Sequence, residues 1–515
     1  MSKKYGIMTF RRTLLLLVLV AAVLPAFSQK IVYSEPGKDD TRRMNFEIAG
    51  KVNGNFLIYK NIRNHNLISV LNNDMVEIAS VEQDYVPDND RMINVDFFPY
   101  SDFCYMIYQY QKRNIVYCMA AKIDGNGKKI GDVMQLDTTQ LGFAASNKIY
   151  TVLSSDDKSR LIVFKINSKN RKNYVITTVL LDEKLTQLKK SRLSVPMDDR
   201  HEYLGEFNLD NEGDLVFTKF LRNNNDNISE GAFVIKYAQA DSFSFKPLNL
   251  EKTNLDEIRI KVDNANKRYF LTSFYLKERR GNIEGLYYYV WDKQTSSLVT
   301  ENTIGFSDEL RKEAKGDAGV RNAFDDYFIK NIITRKDGGF IIGAEAYFTT
   351  SRFNTWNRWD YLGRYSYMSP SDYYFYSPYY SNWWGNSRWN SGNQSVRYHA
   401  DNITVLSFDK DGKMEWSNVI VKEQFNDQSD DLLSYTLMIT GGQLHFLFNQ
   451  AERRVELLND YSVAPDGQMN RNPTLKNLDK GYEFMPKYGK QVSARQVIIP
   501  CLYRNYICFA KVDYN

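Results

Sequence analysis

The sequence is poor in the residues that enzymes most often use for nucleophilic or metal chemistry. Its 515 residues include four cysteines and four histidines, His65, His201, His399 and His445. No spacing typical of zinc proteases, nucleophile elbows, phosphate-binding loops or C-x-x-C redox sites occurs. We expect His445 to pack inside a strand and the other three histidines to lie in separate loops. The motifs therefore predict no metal site, no cofactor and no catalytic residue.

Long apolar runs are also scarce. The main one covers residues 14–24, follows four basic residues and precedes Ala26-Phe27-Ser28. A basic start, a short apolar core and a small-x-small site are typical of a secretory signal. We expect residues 1–28 to be a signal peptide, so that the protein is exported to the periplasm or the cell exterior. No later run reaches the roughly 18 apolar residues of a spanning helix, so no membrane span is predicted.

An excess of charge of one sign is nearly absent. The formal net charge of +5 comes from 67 Lys and Arg against 62 Asp and Glu. Four of the basic residues lie in the predicted signal, which leaves 63 against 62. A chain so close to neutral has no general attraction to polyanions, and nucleic acid is not an expected partner.

Short alternating apolar runs separated by acidic turns are abundant. The clearest pair is ITVLSFDKDGKMEWSNVI at residues 403–420, which reads as a β-hairpin around Asp411-Gly412. Similar turns recur 47 to 59 residues apart, with one interval of 119, at Asp74, Asp124, Asp182, Asp241, Asp292, Asp411, Asp466 and Asp513. Such a period, filled with strands, is typical of propeller blades. We predict an all-β, single-ring β-propeller over residues 29–515, built from four-stranded blades.

The two chain ends and the linker at residues 307–324 provide two further predictions. The last segment offers two strong strands without a fourth, and Lys30–Ser34 could supply the missing one, which would close the ring and remove an open edge. Eight blades result, or seven if one unit is irregular. Residues 307–324 predict a short helix that Ser307 caps and Gly316 ends.

Residues 351–400 differ in composition from the rest of the chain. They hold five of the seven tryptophans, nine tyrosines and five arginines, but no lysine or glutamate. We interpret them as an aromatic insertion in the sixth blade. Flat rings beside polar groups bind sugars, peptides and proteins at low entropic cost. The candidate ligand-binding residues are Trp356, Trp359, Tyr373, Tyr374, Tyr379, Tyr380, Trp383, Trp384, Arg388 and Trp389. The alternatives are a lid that seals the channel and a low-complexity tract.

The sign of the charge in a turn depends on which predicted strands the turn connects. Turns between second and third strands are basic, as at Lys112-Arg113, Arg222 and Arg279-Arg280, whereas the turns of the opposite face are acidic. Acidic residues also precede several first strands, at Asp90-Arg91, Asp199-Arg200, Asp256-Glu257, Asp325-Asp326 and Asp430-Asp431. These carboxylates could ring the channel mouth and bind a hard cation, or could be simple turn formers, which we favour.

The four cysteines form two pairs of different character. Cys501 and Cys508 lie symmetrically about Arg504-Asn505, so a two-residue turn would set them directly across a hairpin, where a bridge is feasible but strained. Cys104 and Cys118 flank their turn asymmetrically and are expected on opposite faces as buried thiols.

Residues 408–420, FDKDGKMEWSNVI, resemble the outer hairpin of PQQ-type and related repeat propellers, in which a strand ends in Asp-x-x-Gly and the next strand carries Trp. The resemblance implies a propeller fold. It carries over no quinone cofactor, because most units lack the family's Trp repeat. The Ala-Phe-Ser-Gln end of the leader and the richness in Tyr, Asn and Lys resemble exported proteins of Bacteroidota.

Together these features favour an exported, non-catalytic binding or scaffold protein. Its expected partner is a glycan, a cell-envelope polymer or a protein, engaged by the aromatic insertion beside the basic turns. The alternative is a carbohydrate-active hydrolase or lyase that uses carboxylates near the channel mouth.

The signal-peptide hypothesis predicts where the exported protein starts. We expect mass spectrometry of the exported protein to find Gln29 at its N-terminus, because the small residues Ala26 and Ser28 precede that bond. An exported protein that retains Met1, or that begins elsewhere, would contradict the assignment.

Overall fold

The computed structural model describes residues 29–37, 44–62, 65–87, 91–142, 148–170, 172–197, 201–222, 226–316, 319–351, 396–427, 429–452, 455–472, 481–504 and 506–514. The described chain is all-β, with antiparallel strands and one short α-helix. No helix in these ranges is long and apolar enough to span a membrane.

The first half of the described chain contains seventeen strands. They are β1 (Lys30–Tyr33), β2 (Met44–Val52), β3 (Asn55–Ile62), β4 (His65–Leu71), β5 (Glu77–Glu82), β6 (Arg91–Pro99), β7 (Phe103–Lys112), β8 (Ile115–Asp124), β9 (Lys129–Gln140), β10 (Thr151–Ser154), β11 (Arg160–Asn170), β12 (Asn173–Asp182), β13 (Gln187–Pro196), β14 (Glu202–Leu209), β15 (Leu215–Arg222), β16 (Ile228–Lys236) and β17 (Ser244–Pro247).

The second half adds eighteen strands and the helix. They are β18 (Asn254–Leu255), β19 (Arg259–Asp263), β20 (Arg268–Leu276), β21 (Gly285–Asp292), β22 (Ser297–Gly305), α1 (Asp308–Ala314), β23 (Tyr327–Thr334), β24 (Phe340–Ser351), β25 (Val396–Phe408), β26 (Met414–Ile420), β27 (Phe425–Asn426), β28 (Tyr435–Ile439), β29 (Leu444–Glu452), β30 (Val455–Val463), β31 (Met469–Arg471), β32 (Tyr482–Phe484), β33 (Lys490–Ser493), β34 (Gln496–Tyr503) and β35 (Tyr506–Asp513).

The strands of the described ranges group into antiparallel meanders of four, here called units. Units 1 to 3 are β2–β5, β6–β9 and β10–β13, and units 4 and 5 are β14–β17 and β19–β22, which β18 joins into one larger sheet. Units 6 and 7 are β23–β26 and β28–β31. The sequence prediction of four-stranded antiparallel repeats is confirmed at this level.

Unit 8 is assembled from both ends of the described chain. The N-terminal strand β1 pairs with β35, from Lys30 opposite Asp513 to Tyr33 opposite Ala510. As the sequence predicted, this segment supplies the strand that the last repeat lacks. The inner position is split between β32 and β33, which both pair with β34 and flank a 3-10 turn at Pro486–Tyr488. Pro486 begins this turn, a position at which its missing N–H leaves no ladder bond unmade.

Apolar side chains between consecutive units form the core. Each cluster combines buried residues of two neighbours, from the cluster of units 1 and 2 around Tyr59 and Met106 to that of units 7 and 8 around Leu447 and Ile499. A further cluster joins unit 8 to unit 1 through residues such as Phe509 and Phe46. First strands also contact each other, as β2 contacts β6 and β33. Each sheet is therefore covered on both faces.

Aspartates build many of the tight turns. One carboxylate oxygen of Asp124, Asp182, Asp210 or Asp409 accepts bonds from the backbone N–H groups two and four residues later. The residue three positions after the aspartate has a positive φ, +76° at Gly127 and +81° at Gly412. The acidic turns that repeat in the sequence are thus backbone-capped hairpins.

The predicted helix is present as α1. The Ser307 side chain accepts a bond from the Leu310 N–H, and Asp308 and Glu309 lie in the first turn, where they suit the helix dipole. Gly316 follows the helix with φ +52°. Leu310 and Ala314 pack into the cluster between units 5 and 6.

Substitution of Gly412 tests how closely the β25–β26 turn of unit 6 packs on unit 5. A Cβ atom there would overlap the Tyr288 ring of unit 5, in addition to the cost of φ +81°. Gly54 has a similar φ of +84° with nothing within 4 Å of the same position. We expect Gly54→Ala to lower the free energy of unfolding by about 1 kcal/mol and Gly412→Ala by about 3 kcal/mol or more, measured by urea unfolding. Equal losses would contradict the contact.

Candidate binding site at the base of the aromatic insertion

The ten predicted ligand-binding residues, Trp356 to Trp389, lie outside the described residues. The structure instead describes where their segment joins unit 6. Strands β24 and β25 pair from Phe340 and Phe408 to Glu345 and Ile403, shift register, and continue from Tyr347 and Ala400 to Ser351 and Val396. Ser351 and residues 396–400, which the predicted insertion includes, continue the ladder and satisfy their backbone groups there.

The last five pairs of β24 and β25, here called the stem, carry a row of planar groups. The Phe348 and His399 rings stack with centroids 4.4 Å apart and an angle of 7°. The Phe425 ring lies 6.3 Å from that of His399, because β27 pairs with β25. Phe425 is 53% exposed. The Arg397 guanidinium lies 4.5 Å from the Phe425 ring centre. We call Phe348, His399, Phe425 and Arg397 the stem platform.

Polar contacts hold the platform in one geometry. Arg397 donates to both carboxylate oxygens of Asp427, at 2.6 Å and 3.1 Å. Thr350 Oγ1 lies 3.1 Å from His399 Nε2. Burial and the neighbouring Arg397 charge lower the pKa of His399, so the imidazole is neutral at neutral pH. The Phe348 and His399 rings cover one face of each other, whereas Phe425 is exposed, so Phe425 is the ring of the platform most open to stacking against a sugar or another ring. His399, predicted in a loop, lies in β25.

A buried ion pair anchors the strands beneath the stem. Lys422 and Glu345 are fully buried, with Nζ and Oε1 2.9 Å apart. Glu345 Oε2 also accepts a bond of 2.6 Å from the Ser434 hydroxyl, and Lys422 donates to Gln424 Oε1 at 2.8 Å. Burial lowers the pKa of Lys422, an effect that the Glu345 charge opposes. Removing one partner would leave the other charge buried, so the pair fixes how β24 meets the linker to unit 7.

The acidic linkers predicted as a channel-mouth ring bond to neighbouring units. Asp430 accepts from the Tyr347 hydroxyl at 2.9 Å and from Lys487 Nζ at 2.6 Å. Burial alone would raise the pKa of Asp430, but the Lys487 charge and these bonds lower it below its usual value. Asp431 accepts from the Tyr488 hydroxyl at 2.7 Å.

The other linker carboxylates have similar roles or lie outside the described ranges. Asp325 accepts from the Ile283 N–H at 3.0 Å, and Glu257 pairs with Arg259. Asp256 is buried. Asp90 and Asp199 are outside the described residues. Asp325, Asp430 and Asp431 thus accept bonds from distant parts of the chain, whereas Glu257 pairs with a residue of its own segment.

Within the described ranges, one group of carboxylates is close enough for a metal ion, namely Asp210, Glu212 and Asp214. The Lys293 ammonium lies among them, 2.6 Å from Glu212 and 2.8 Å from Asp214, and it also bonds to Asp210. Burial would lower the pKa of Lys293, but the three carboxylates raise it above its ordinary value. Lysine therefore supplies the positive charge that this group of acids needs.

The basic turns are only partly exposed. Arg113 and Arg504 face solvent, whereas Arg222 is buried. Arg222, which the sequence places in a basic turn, adds no exposed charge there, because its side chain turns inward and Nε donates to the Asp226 carbonyl. Arg279 and Arg280 pair with the Asp226 carboxylate, which offsets their charge.

First strands carry a second polar group that the sequence interpretation missed, formed by Glu47, Asp96, Lys148 and Lys490. Lys148 Nζ lies 2.7 Å from Asp96 Oδ1, and Lys490 Nζ donates to the carbonyls of Ile48 and Ala49. Burial raises the pKa of Glu47 to about 7, although Lys490 opposes this, and Asp96 adds to the rise. A charged residue inside an apolar first strand was the available signal. Its partners come from distant units and could not be read locally.

The cysteines and His445 follow the sequence prediction. Cys104 packs between units 1 and 2 and Cys118 between units 2 and 3, so they lie on opposite faces as buried thiols. Cys501 and Cys508 are directly opposite in the β34–β35 hairpin. His445 is buried in β29, with Nδ1 3.1 Å from Asp460.

No family model matches this chain, and no curated protein matches it. Among solved structures, prolyl oligopeptidase B from Galerina marginata is 7% identical, covering 90% of this chain and 56% of that chain, with a TM-score of 0.39. The β-propeller domain of the Trilobed protease from Pyrococcus furiosus is 9% identical, covering 82% and 93%, with a TM-score of 0.36. The Synechocystis apocarotenoid oxygenase is 10% identical, covering 95% and 94%, with a TM-score of 0.34.

A further likeness, to a prolyl endopeptidase, covers 83% of this chain and 56% of that chain at 10% identity and a TM-score of 0.35, so the chain spans little more than half of that enzyme. Similarities of this size place the chain in no family and assign no activity.

Glu47 provides a test of the polar group on the first strands. Its pKa is raised from 4.5 to about 7, so the folded state retains a proton that the unfolded state loses. Stability from this group is therefore full below about pH 4.5 and falls as the pH rises to about 7. We expect Glu47→Gln to remove this fall, gaining roughly 2–3 kcal/mol over wild type between pH 5 and pH 8.

The measurement is the melting temperature of wild type and variant at both pH values. Glu230→Gln, at an exposed position of β16, is the matched control and should leave the pH profile unchanged. A Glu47→Gln variant whose difference from wild type is the same at pH 5 and pH 8 would show that Glu47 ionises normally.

Proposed function

We propose that the chain is an exported β-propeller whose eight units are the blades of one closed ring, and that it binds a partner through residues 352–395 and the stem platform. The closed ring is supported by the apolar clusters between consecutive units and by the cluster that joins unit 8 to unit 1. The pairing of β1 with β35 supports closure by both chain ends.

A glycan or envelope polymer is the partner that the stem platform favours over a protein. The observation that supports this proposal is the row of Phe348, His399 and Phe425, of which Phe425 is exposed and the other two are half-buried, where the tryptophan-rich segment joins the blade. The exposed ring of Phe425 suits the apolar face of a sugar, and the paired Arg397 and Asp427 beside it offer both donors and acceptors to hydroxyl groups. Five tryptophans in the adjoining segment extend the same chemistry.

A non-catalytic role is more consistent with the described carboxylates than the hydrolase or lyase alternative. Asp325, Asp430 and Asp431 accept bonds from protein donors of other units. A glycosidase needs two carboxyl groups placed on either side of an open substrate site. These linker acids are instead used to fasten one unit to the next.

Replacement of residues 352–395 by a short Gly/Ser linker tests this function. We expect the melting temperature to stay within a few degrees, since the stem and core remain, while retention by polysaccharides is lost. The measurement is affinity electrophoresis of residues 29–515 in gels that contain starch, mannan or a soluble β-glucan. Phe425→Ala should weaken binding about tenfold through loss of one stacking ring.

The control is Phe245→Ala, because Phe245 is also an exposed phenylalanine, at 38%, but lies in unit 4. Binding that survives both the loop replacement and Phe425→Ala would overturn the proposed site. Capture of an envelope protein instead of polysaccharide would replace the glycan by a protein partner. Polysaccharide cleavage that is lost on Asp430→Asn would favour the enzyme alternative.

A further inference from the structure

Two cysteine sulfur atoms meet inside the sheet that both chain ends complete. Cys501 on β34 is directly opposite Cys508 on β35, and their Sγ atoms are 2.8 Å apart. Both side chains are fully buried in the cluster between units 7 and 8, among residues such as Leu447 and Phe484. This is shorter than ordinary contact between two sulfur atoms, so little movement separates the thiols from a covalent bond.

The backbone register permits a bond, with the strain expected for directly opposite strand positions. The carbonyls of Ile507 and Phe509 accept bonds from Gly37 and Ser34, on the side of β1. Because backbone groups alternate along a strand, those of Cys508 point to β34, and Cys501 and Cys508 form a hydrogen-bonded pair. Such pairs have Cα atoms about 5.5 Å apart, inside the range of disulfides.

Cys104 and Cys118 provide an internal contrast. Their strand partners are Ile123 and Gln109, and their side chains enter different clusters on opposite faces of unit 2. The sheet lies between the two sulfur atoms, so this pair cannot be bridged. The same protein therefore contains one cysteine pair placed for oxidation and one that is not.

We propose that Cys501 and Cys508 are joined by a disulfide in the exported protein. The oxidant is a protein or glutathione disulfide. The thiolate of one cysteine attacks a sulfur of this oxidant and releases one thiol. The thiolate of the other cysteine then attacks the mixed disulfide and releases the second thiol. The two cysteines lose two protons and two electrons, and the oxidant is reduced to two thiols. The proposal rests on the export that the proposed function includes.

Burial decides when the bond can form. Burial, followed by the hydrogen bond and charge of Cys508, raises the pKa of Cys501 well above its ordinary value. A folded protein thus offers almost no thiolate and no access to an oxidant. The bond forms during folding, before the β34–β35 hairpin is covered by unit 7. The bond then joins the two strands of the β34–β35 hairpin, with which β1 pairs. In the proposed ring, this pairing of β1 with β35 is the non-covalent contact by which the two chain ends close the ring.

Trypsin provides a direct measurement. It cuts after Arg495, Arg504 and Lys511, so Cys501 falls in peptide 496–504 and Cys508 in peptide 505–511. Residues 1–515 are expressed in an exporting cell, the exported protein is denatured without reductant, free thiols are alkylated, and the digest is analysed by mass spectrometry. We expect the two peptides to be joined, two hydrogen masses below their sum, while Cys104 and Cys118 are alkylated.

A second preparation of residues 29–515, made in a reducing cytoplasm, should give both peptides alkylated and separate. Its melting temperature should be about 2 °C below that of the exported form. Cys508→Ser should remove this difference, whereas Cys118→Ser should retain it. If the exported protein, shown by its Gln29 N-terminus to have been processed, carries alkylated Cys501 and Cys508, the disulfide is overturned. A full-length N-terminus would overturn export, and with it the disulfide as proposed.

Discussion

Each four-stranded meander in this protein has two apolar faces and too little material to cover either alone. Burying the faces requires a neighbour on each side, and the clusters between consecutive units satisfy this need along the whole described chain. A row of units would leave its first and last faces open to water. The cluster that joins Phe46 of unit 1 to Phe509 of unit 8 covers those faces, and it is the main support for the proposed closed ring.

Polar groups determine how neighbouring units meet once the apolar faces have brought them together. Asp430 and Asp431 of the linker before unit 7 bond to Tyr347 of unit 6 and to Lys487 and Tyr488 of unit 8. Lys148 reaches across to Asp96 in the same way. Such bonds need one geometry to be satisfied, so they select a register among the many that apolar contact alone would allow.

The proposed binding segment joins the scaffold next to a buried ion pair. The buried pair of Glu345 and Lys422 secures β24 directly before the stem, and the stem continues the ladder for five more pairs. A fixed base keeps unit 6 unchanged when a partner binds at its edge.

Local chemistry was sufficient to predict the strands, turns and helix from the sequence. Alternation gives a strand, an aspartate caps the turn two and four residues ahead, and Ser307 starts α1, all within a few residues. The opposition of Cys501 and Cys508 also follows locally, from the symmetry of one hairpin. The tertiary structure decided which side chains meet across units: that Glu47 shares a group with Lys490, that Arg222 is buried, and that Lys293 lies among three carboxylates. The partners of Glu47 and Lys293 lie far from them in the chain, and only the packing of whole sheets brings them together.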